Sequence, residues 1–152
     1  MDFYLVRHGE AVSEMLDPRR PLSRLGREQV ERVARLALAK NPQVSAIFHS
    51  GILRAKQTAE ILAEHLGLPV RVEPSSGLLP EDDPSIGKGE LEAAESSIMM
   101  VGHLPHMNRL AALLVNGDVN RQVVGFGPAT VVCCSRAGSH WEIAWILAPG
   151  PV

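Results

Sequence analysis

Long apolar runs and paired cysteines are both missing from this sequence. Its apolar runs fall far short of the about 20 residues that a membrane-spanning helix needs, and no basic segment followed by a long apolar one opens the chain. We therefore expect neither a membrane span nor a secretory signal, and a cytoplasmic location. Its two cysteines, Cys133 and Cys134, are adjacent, which fits neither a disulfide framework nor a redox pair. We expect both in the core.

Charge of one sign is not concentrated anywhere in the chain. The 15 Lys and Arg residues are scattered, and with 17 Asp and Glu residues they give a net charge of -2. Nucleic acids and anionic membranes are bound by clustered positive charge. We therefore expect no nucleic-acid partner and no membrane partner, whereas a small or locally presented anion stays open as a ligand.

Strand-like and helix-like segments alternate along the 152 residues, which we expect to form one domain over residues 1–152. Helices are predicted after Ser23, after His49 and after His103. The terminal strands, 129–135 and 140–147, read as a hairpin. This order predicts a three-layer α/β/α fold with a mostly parallel sheet of about six strands and one antiparallel member. The other predicted strands are 2–6, 44–50, 69–74 and 96–103.

Residues 75–90, with the sequence SSGLLPEDDPSIGKGE, are rich in Ser, Gly, Pro and acidic residues. This composition predicts a long surface loop, and loops of that length in compact domains are often functional. The acidic run at 81–83 is either a solvated acidic segment or a source of a catalytic carboxylate.

Three predicted strands end in residues that bind or transfer anions. The first ends at Arg7 and His8, the second is followed by Arg54 in the next helix, and the fourth ends at His103. In open α/β sheets, ligands bind beyond the carboxyl ends of the strands. We therefore expect these four side chains to surround one anion.

The chemistry of the four residues favours a phosphoryl group. Arginine forks match phosphate oxygens, and a neutral imidazole is a nucleophile near pH 7. Phosphoryl transfer asks the protein mainly for charge stabilisation and an in-line nucleophile. Arg7, Arg54 and His103 are the candidate phosphate-binding residues, and His8 is the candidate nucleophile.

The motifs LVRHGE, HSGILRAKQTAEIL and MMVGH, in this order, resemble the histidine phosphatase superfamily, the phosphoglycerate-mutase-like group. Within it, the stretches RPLSRLGREQ and VGHLPHMNRLAALL look most like the small phosphohistidine phosphatases of the SixA type. The resemblance implies the phosphoglycerate-mutase-like fold and transient phosphorylation of His8. It also implies phosphoryl binding by Arg7, Arg54 and His103, with no metal and no other cofactor.

Two departures from the superfamily pattern narrow the expected reaction. Mutases carry an asparagine six positions after the nucleophile, where this chain has Glu14, and the long mutase insertion is missing. We therefore expect a phosphatase. The superfamily's acidic proton donor lies after the third strand, where Glu81 matches best.

Phosphohistidine is the expected substrate because imidazole, with a pKa of about 6.5, leaves more easily than an alkoxide. A short chain without a large lid would admit a histidine presented on another protein, so the expected partner is a phosphorylated protein of the histidine phosphotransfer type. The alternative is a phosphatase of a small phosphorylated metabolite or nucleotide.

Two further alternatives stand beside the phosphatase. His103 and His106 have the spacing of an H-x-x-H metal pair that His8 or His49 would complete, although two arginines would repel a cation. A non-catalytic phosphate-binding module would need no attacking imidazole. For the residues outside the core set, we expect His106 at the rim of the crevice, and Ser50 either in a turn or in support of Arg54 or the anion.

Overall fold

Strands and helices alternate along the chain before a terminal hairpin. The computed structural model describes residues 1–67 and 69–151, which form six strands and four helices. In chain order these are β1 (Asp2–Arg7), α1 (Arg24–Leu38), β2 (Ala46–His49), α2 (Leu53–Leu66), β3 (Arg71–Pro74), α3 (Pro84–Ala93), β4 (Ile98–Gly102), α4 (His106–Asn116), β5 (Val131–Ala137) and β6 (His140–Leu147).

The six strands form one sheet in the order β3-β2-β4-β1-β5-β6. The first four are parallel, and β5 runs antiparallel to both β1 and β6, so the expected antiparallel member is β5. From β1 the chain continues to β2 on one side, whereas from β4 it continues to β5 on the other. The carboxyl ends of β1 and β4 therefore border the point where the connections diverge, which is where ligands bind in open α/β sheets.

Helices cover both faces of the sheet, as the three-layer prediction requires. Buried residues of α1 and α2 pack with Tyr4 and Val6 on one face, and those of α3 and α4 pack with Phe3 and Leu5 on the other. Strand residues alternate between the two clusters because successive side chains point to opposite faces. Cys133 and Cys134 follow the same rule and are fully buried in opposite clusters. No helix of the described residues is both long and apolar enough to cross a membrane.

The predicted helix boundaries around the site are confirmed. Ser23 caps α1, where its Oγ accepts from Gly26 N–H at 2.9 Å. Helices α2 and α4 end at Gly67 and Gly117, whose φ angles of +63° and +70° are readily adopted by glycine.

The prediction of one loop over residues 75–90 is wrong in its second half, where α3 begins at Pro84. Asp83 caps this helix, accepting from Ser85 N–H at 2.9 Å, and Gly87 and Leu91 are buried. Glycine and proline made the segment resemble a loop, but Asp followed by Pro is also a helix start. The helix closes the second face of the sheet beside the loop 75–83.

Candidate active site

The residues that follow β1 and β4 lie side by side at the divergence point. His8 N–H donates to the Gly102 carbonyl at 3.0 Å. The imidazoles of His8 and His103 have ring centroids 5.0 Å apart and planes tilted by 55°. Two histidines 95 positions apart in sequence therefore face one small space, as the strand-end argument predicts.

His8 is held in one tautomer by the backbone of the next residue. Its Nδ1 lies 2.6 Å from the carbonyl oxygen of Gly9. A carbonyl only accepts hydrogen bonds, so Nδ1 donates and carries the ring proton. The lone pair of the neutral ring is therefore on Nε2, which is the nucleophilic atom.

His8 is neutral at physiological pH. Burial lowers the pKa of His8 to about 4, against an opposing effect of the Gly9 hydrogen bond, and the charges of Arg54 and Arg7 lower it further. Both guanidinium groups are therefore near enough to act on the ring. A neutral imidazole beside two cations is a nucleophile prepared for an anionic substrate.

Gly9 and Gly26 fix the position of His8 because the exit of β1 presses against the start of α1. A Cβ on Gly9 would lie 2.8 Å from the Gly26 carbonyl oxygen, and one on Gly26 would lie 1.9 Å from the Glu10 carbonyl oxygen. Gly9 N–H also donates to Thr58 Oγ1 of α2 at 3.2 Å. The backbone after His8 is thus held between α1 and α2, which restricts the position of the His8 ring.

Arg7 and Arg54 bring unpaired hydrogen-bond donors to the site. Arg7 Nη1 donates to the Phe126 carbonyl at 2.9 Å. The Nε atoms of Arg7 and Arg54 are both buried without a partner among the described residues. Burial lowers the pKa of each arginine. Half-buried cations with buried, unpaired N–H groups favour an anion, and a phosphoryl group offers the matching oxygens.

His103 is paired with Ser50, which follows β2. Ser50 Oγ lies 2.6 Å from His103 Nε2 and accepts from Ile52 N–H at 3.2 Å. His103 Nδ1 is buried with no partner in the described part of the chain. Burial, followed by the charge of His8, lowers the pKa of His103 to about 3. Of the two roles open to Ser50, the structure shows the turn and adds a contact with His103 that sequence reasoning missed.

In the acidic run at 81–83, two carboxylates accept hydrogen bonds from the backbone and one does not. Asp82 Oδ2 accepts from Leu79 N–H and Asp83 Oδ1 from Ser85 N–H, each at 2.9 Å. Glu81 is exposed, and its carboxylate makes no hydrogen bond or ion pair within residues 1–67 and 69–151. Glu81 is therefore the free acid of the run, as a proton donor must be, but no contact joins it to His8 or His103.

His106 differs from its expected place at the crevice rim because it is completely buried. Neither ring nitrogen has a partner among the described residues, and burial lowers the pKa of His106. Within residues 1–67 and 69–151, no three His, Cys, Asp or Glu side chains are grouped as metal ligands.

Arg20 is the charged residue near the site that sequence reasoning missed. Its positive charge acts on both His8 and Arg54, lowering the pKa of each in addition to the larger effect of burial. The available signal was the second arginine of RRPLS, in the loop that returns from β1 to α1.

Known proteins match both the sequence and the fold. The family model described as histidine phosphatase superfamily (branch 1) matches residues 3–75. The phosphohistidine phosphatase SixA of Escherichia coli K12 is 28% identical over 123 residues, covering 78% of this chain and 76% of the relative. An uncharacterized protein of Picosynechococcus is 30% identical over 131 residues, covering 81% and 78%.

Structural similarity extends over nearly the whole chain. The structure of the protein histidine phosphatase SixA complexed with tungstate superposes with a TM-score of 0.86 at 25% identity. The superposition covers 98% of this chain and 97% of that chain. The arrangement of six strands and four helices is therefore shared.

Proposed function

Because this chain belongs to the histidine phosphatase superfamily and is a histidine-nucleophile phosphatase, we propose that it removes phosphate from phosphohistidine in a signalling phosphotransfer protein. His8 is the proposed nucleophile, and Arg7, Arg54 and His103 are the proposed phosphoryl-binding residues. The observation that carries the proposal is the hydrogen bond of 2.6 Å from His8 Nδ1 to the Gly9 carbonyl. That bond leaves Nε2 unprotonated near two arginines whose Nε atoms are buried and unpaired among the described residues.

The reaction proceeds in two balanced displacements at phosphorus. In the first, His8 Nε2 forms a bond to phosphorus while the bond to the substrate imidazole nitrogen breaks, and the departing ring keeps the electron pair. In the second, water attacks the phosphorus of phosphorylated His8, and the bond to Nε2 breaks. Inorganic phosphate leaves, the water proton passes to phosphate or solvent, and His8 regains its lone pair.

Charge placement supports phosphoryl transfer at this site. Negative charge spreads over the non-bridging oxygens during transfer. Preorganised hydrogen-bond donors stabilise this charge most where water is partly excluded from the site. The unpaired Nε atoms of Arg7 and Arg54 are such donors. A relative that is 25% identical was solved with tungstate, a tetrahedral oxyanion like phosphate.

The substrate class follows from the leaving group. The conjugate acid of imidazole has a pKa of about 6.5, so a substrate ring that carries a proton on its other nitrogen departs as neutral imidazole, whereas an alkoxide requires an acid at the leaving oxygen. The proposed proton donor, Glu81, is exposed and lies on a loop, which is a poor arrangement for protonating an alkoxide. This arrangement favours cleavage of P–N bonds.

The test compares substrates and uses a matched histidine variant. A phosphotransfer protein labelled with ³²P on histidine is compared with p-nitrophenyl phosphate, sugar phosphates and nucleotides by kcat/KM. We expect the phosphoprotein to be preferred, and His8→Ala to lose at least about 10⁴-fold in kcat. The control is His140→Ala, which removes an exposed histidine paired only with Glu142.

Three outcomes would overturn parts of the proposal. Equal or faster turnover of a small phosphate ester would replace the phosphoprotein with a metabolite or nucleotide as substrate. Near-normal turnover by His8→Ala, or no acid-labile, base-stable phosphoryl adduct on the native enzyme, would remove His8 as nucleophile.

A further inference from the structure

The imidazole of His103 is bonded by a serine hydroxyl from the end of the neighbouring strand. Ser50 Oγ lies 2.6 Å from His103 Nε2, and the two residues follow β2 and β4, which pair in parallel. Ser50 Oγ also accepts from Ile52 N–H at 3.2 Å, at the start of α2. The hydroxyl is therefore fixed between the backbone of this turn and one nitrogen of the ring.

The single proton of the Ser50 hydroxyl determines the direction of this hydrogen bond. A hydroxyl has one donor and two acceptor lone pairs, and Ile52 N–H occupies one of the lone pairs. Among the described residues, the other partner of Ser50 Oγ is His103 Nε2. If Nε2 carried a proton, the hydroxyl would accept twice and its own proton would have no acceptor in that part of the chain. Ser50 therefore donates to His103 Nε2.

Donation to Nε2 places the ring proton of His103 on Nδ1. Burial lowers the pKa of His103 to about 3, so the ring is neutral near pH 7, and a neutral imidazole carries one proton. The hydrogen bond made by one ring nitrogen decides which nitrogen holds that proton. Nδ1 is buried and has no partner within residues 1–67 and 69–151. The N–H group of His103 is thus left for a ligand.

The two imidazoles of the site are prepared for different tasks by different partners. His8 Nδ1 donates to the Gly9 carbonyl at 2.6 Å, which leaves a lone pair on Nε2. His103 Nε2 accepts from Ser50, which leaves a proton on Nδ1. The centroids of the two rings are 5.0 Å apart. One ring is therefore suited to attack phosphorus while the other donates to an oxygen of the same phosphoryl group.

We propose that Ser50 is a positioning residue that fixes the tautomer of His103, so that His103 Nδ1–H donates to a non-bridging oxygen of the phosphoryl group. This role rests on the proposed reaction at His8. His103 Nδ1 joins the Nε atoms of Arg7 and Arg54, which are likewise buried without a partner among the described residues. Without the hydroxyl, the ring proton is free to move to Nε2, and Nδ1 then presents a lone pair that repels the anion.

NMR reads the tautomer of His103 directly in the native enzyme. In protein labelled with ¹⁵N, a long-range ¹H–¹⁵N spectrum separates protonated from unprotonated imidazole nitrogens by chemical shift. The His103 signals are assigned from their loss in His103→Asn. We expect Nδ1 to be protonated and Nε2 unprotonated near pH 7. Addition of inorganic phosphate, a product of every phosphatase, should shift the Nδ1 resonance.

Two variants of Ser50 test whether the hydroxyl sets this tautomer. Ser50→Ala should lose the preference for a proton on Nδ1 and raise the inhibition constant of phosphate by about 10-fold, the size of one hydrogen bond. Ser50→Thr keeps a hydroxyl and should keep the native tautomer and the native inhibition constant. The matched control is His49→Ala, which removes the hydrogen bond of 3.0 Å from Gly51 N–H to His49 Nδ1 in the same turn. It should leave the tautomer of His103 unchanged.

The proposal is wrong if native His103 carries its proton on Nε2, or if Ser50→Ala keeps either the native tautomer or native phosphate inhibition. It is also wrong if His49→Ala has the same effects, because Ser50 would then only hold the turn. The spectrum of the native enzyme needs no variant of Ser50, so a variant that fails to fold does not protect the proposal. Failure of the proposed function would appear separately, as near-normal turnover by His8→Ala.

Discussion

The two ends of the parallel strands offer different surfaces to a ligand. At the carboxyl ends, the site is compact and leaves hydrogen-bond donors unpaired, the Nε atoms of Arg7 and Arg54. At the amino ends, an open groove of about 320 Å³ lies beneath the end of α3, lined in part by Ser45, Phe48 and Arg71.

Several polar groups of the groove already have hydrogen-bond or ion-pair partners. Ser45 Oγ and Ser96 Oγ lie 2.7 Å apart, and Arg71 pairs with Glu73 at 3.1 Å. The unpaired buried polar atom of its lining is an acceptor, Glu90 Oε2. An anion needs donors, so the site and not the groove suits a phosphoryl group. In this molecule, the size of a cavity therefore indicates the kind of ligand less well than whether the unpaired polar atoms are hydrogen-bond donors or acceptors.

The strongest test of the comparison replaces one arginine at each end. Arg54→Ala should lower kcat/KM by about 10²- to 10³-fold, the usual loss for a donor that stabilises transition-state charge. Arg71→Ala should leave kcat/KM unchanged because Arg71, at the amino end of β3, is paired with Glu73. Steady-state kinetics at matched folded fraction, checked by circular dichroism, gives the answer. Comparable losses in both variants would contradict the division between the two ends.

One acidic residue at each end of the parallel strands tests the same difference, and we expect a smaller change in rate than for the arginines. Because Glu81 is poorly placed, Glu81→Gln should slow alkyl phosphate hydrolysis by no more than about 10²-fold, the lower end of general acid catalysis. It should leave phosphohistidine hydrolysis unchanged, because the alkoxide needs a proton from an acid and the imidazole does not. Glu95→Gln, in the groove lining, is the matched control. Equal rates for Glu81→Gln and the native enzyme on every ester would remove Glu81 as proton donor.

Acid pH should lower kcat/KM by protonating the two histidines of the site, His8 and His103. Burial lowers the pKa of His8 to about 4 and that of His103 to about 3. We therefore expect kcat/KM for p-nitrophenyl phosphate, corrected for ionisation of the substrate, to stay level down to about pH 5 and to fall with an apparent pKa of about 4. An acid limb near the ordinary histidine pKa of 6.5 would contradict this.

Stability should respond to pH with a defined sign. The unfolded chain binds protons at His8 and His103 near the ordinary pKa of 6.5, above the pKa of each folded group. The free energy of unfolding should therefore fall as the pH falls below about 6.5, with the contribution of His8 lost by about pH 4 and that of His103 by about pH 3. Urea titrations at several pH values measure this slope, and His140→Ala, which removes an exposed histidine, should keep it.

The smallest expected effect concerns an unpaired group away from the arginines. His106→Leu should raise the free energy of unfolding by about 1 kcal/mol, because the buried ring nitrogens of His106 have no partner among the described residues. Activity should stay native. Urea denaturation decides the point, and a destabilised His106→Leu would mean that the buried imidazole has a stabilising contact.

The sequence was sufficient for the sheet and for the proximity of His8 and His103. Apolar runs bounded by Gly and Pro predicted the strands, and the rule that ligands bind at the carboxyl ends brought Arg7, His8, Arg54 and His103 together before any contact was known. The centroid distance of 5.0 Å between His8 and His103 confirms their proximity. Their catalytic roles stay predictions.

The features that the sequence did not predict depend on contacts between distant residues or on segments whose residues favour both helix and loop. The partnership of Ser50 with His103 joins residues 53 positions apart, and Arg20 lies in a loop that no periodic pattern describes. Helix α3 was hidden because Gly87 and Gly89 lower helix propensity, while burial of Leu91 against the sheet overrides it. Burial of His106 likewise depends on how α3 packs on α4.

The hydrogen bond from His8 Nδ1 to the Gly9 carbonyl also predicts the isomer of the proposed covalent adduct. With Nδ1 occupied at 2.6 Å, only Nε2 is free to bond to phosphorus, so the proposed phosphorylation of His8 should give the tele isomer, 3-phosphohistidine. An antibody selective for 3-phosphohistidine should therefore recognise the trapped enzyme, whereas one selective for 1-phosphohistidine should not.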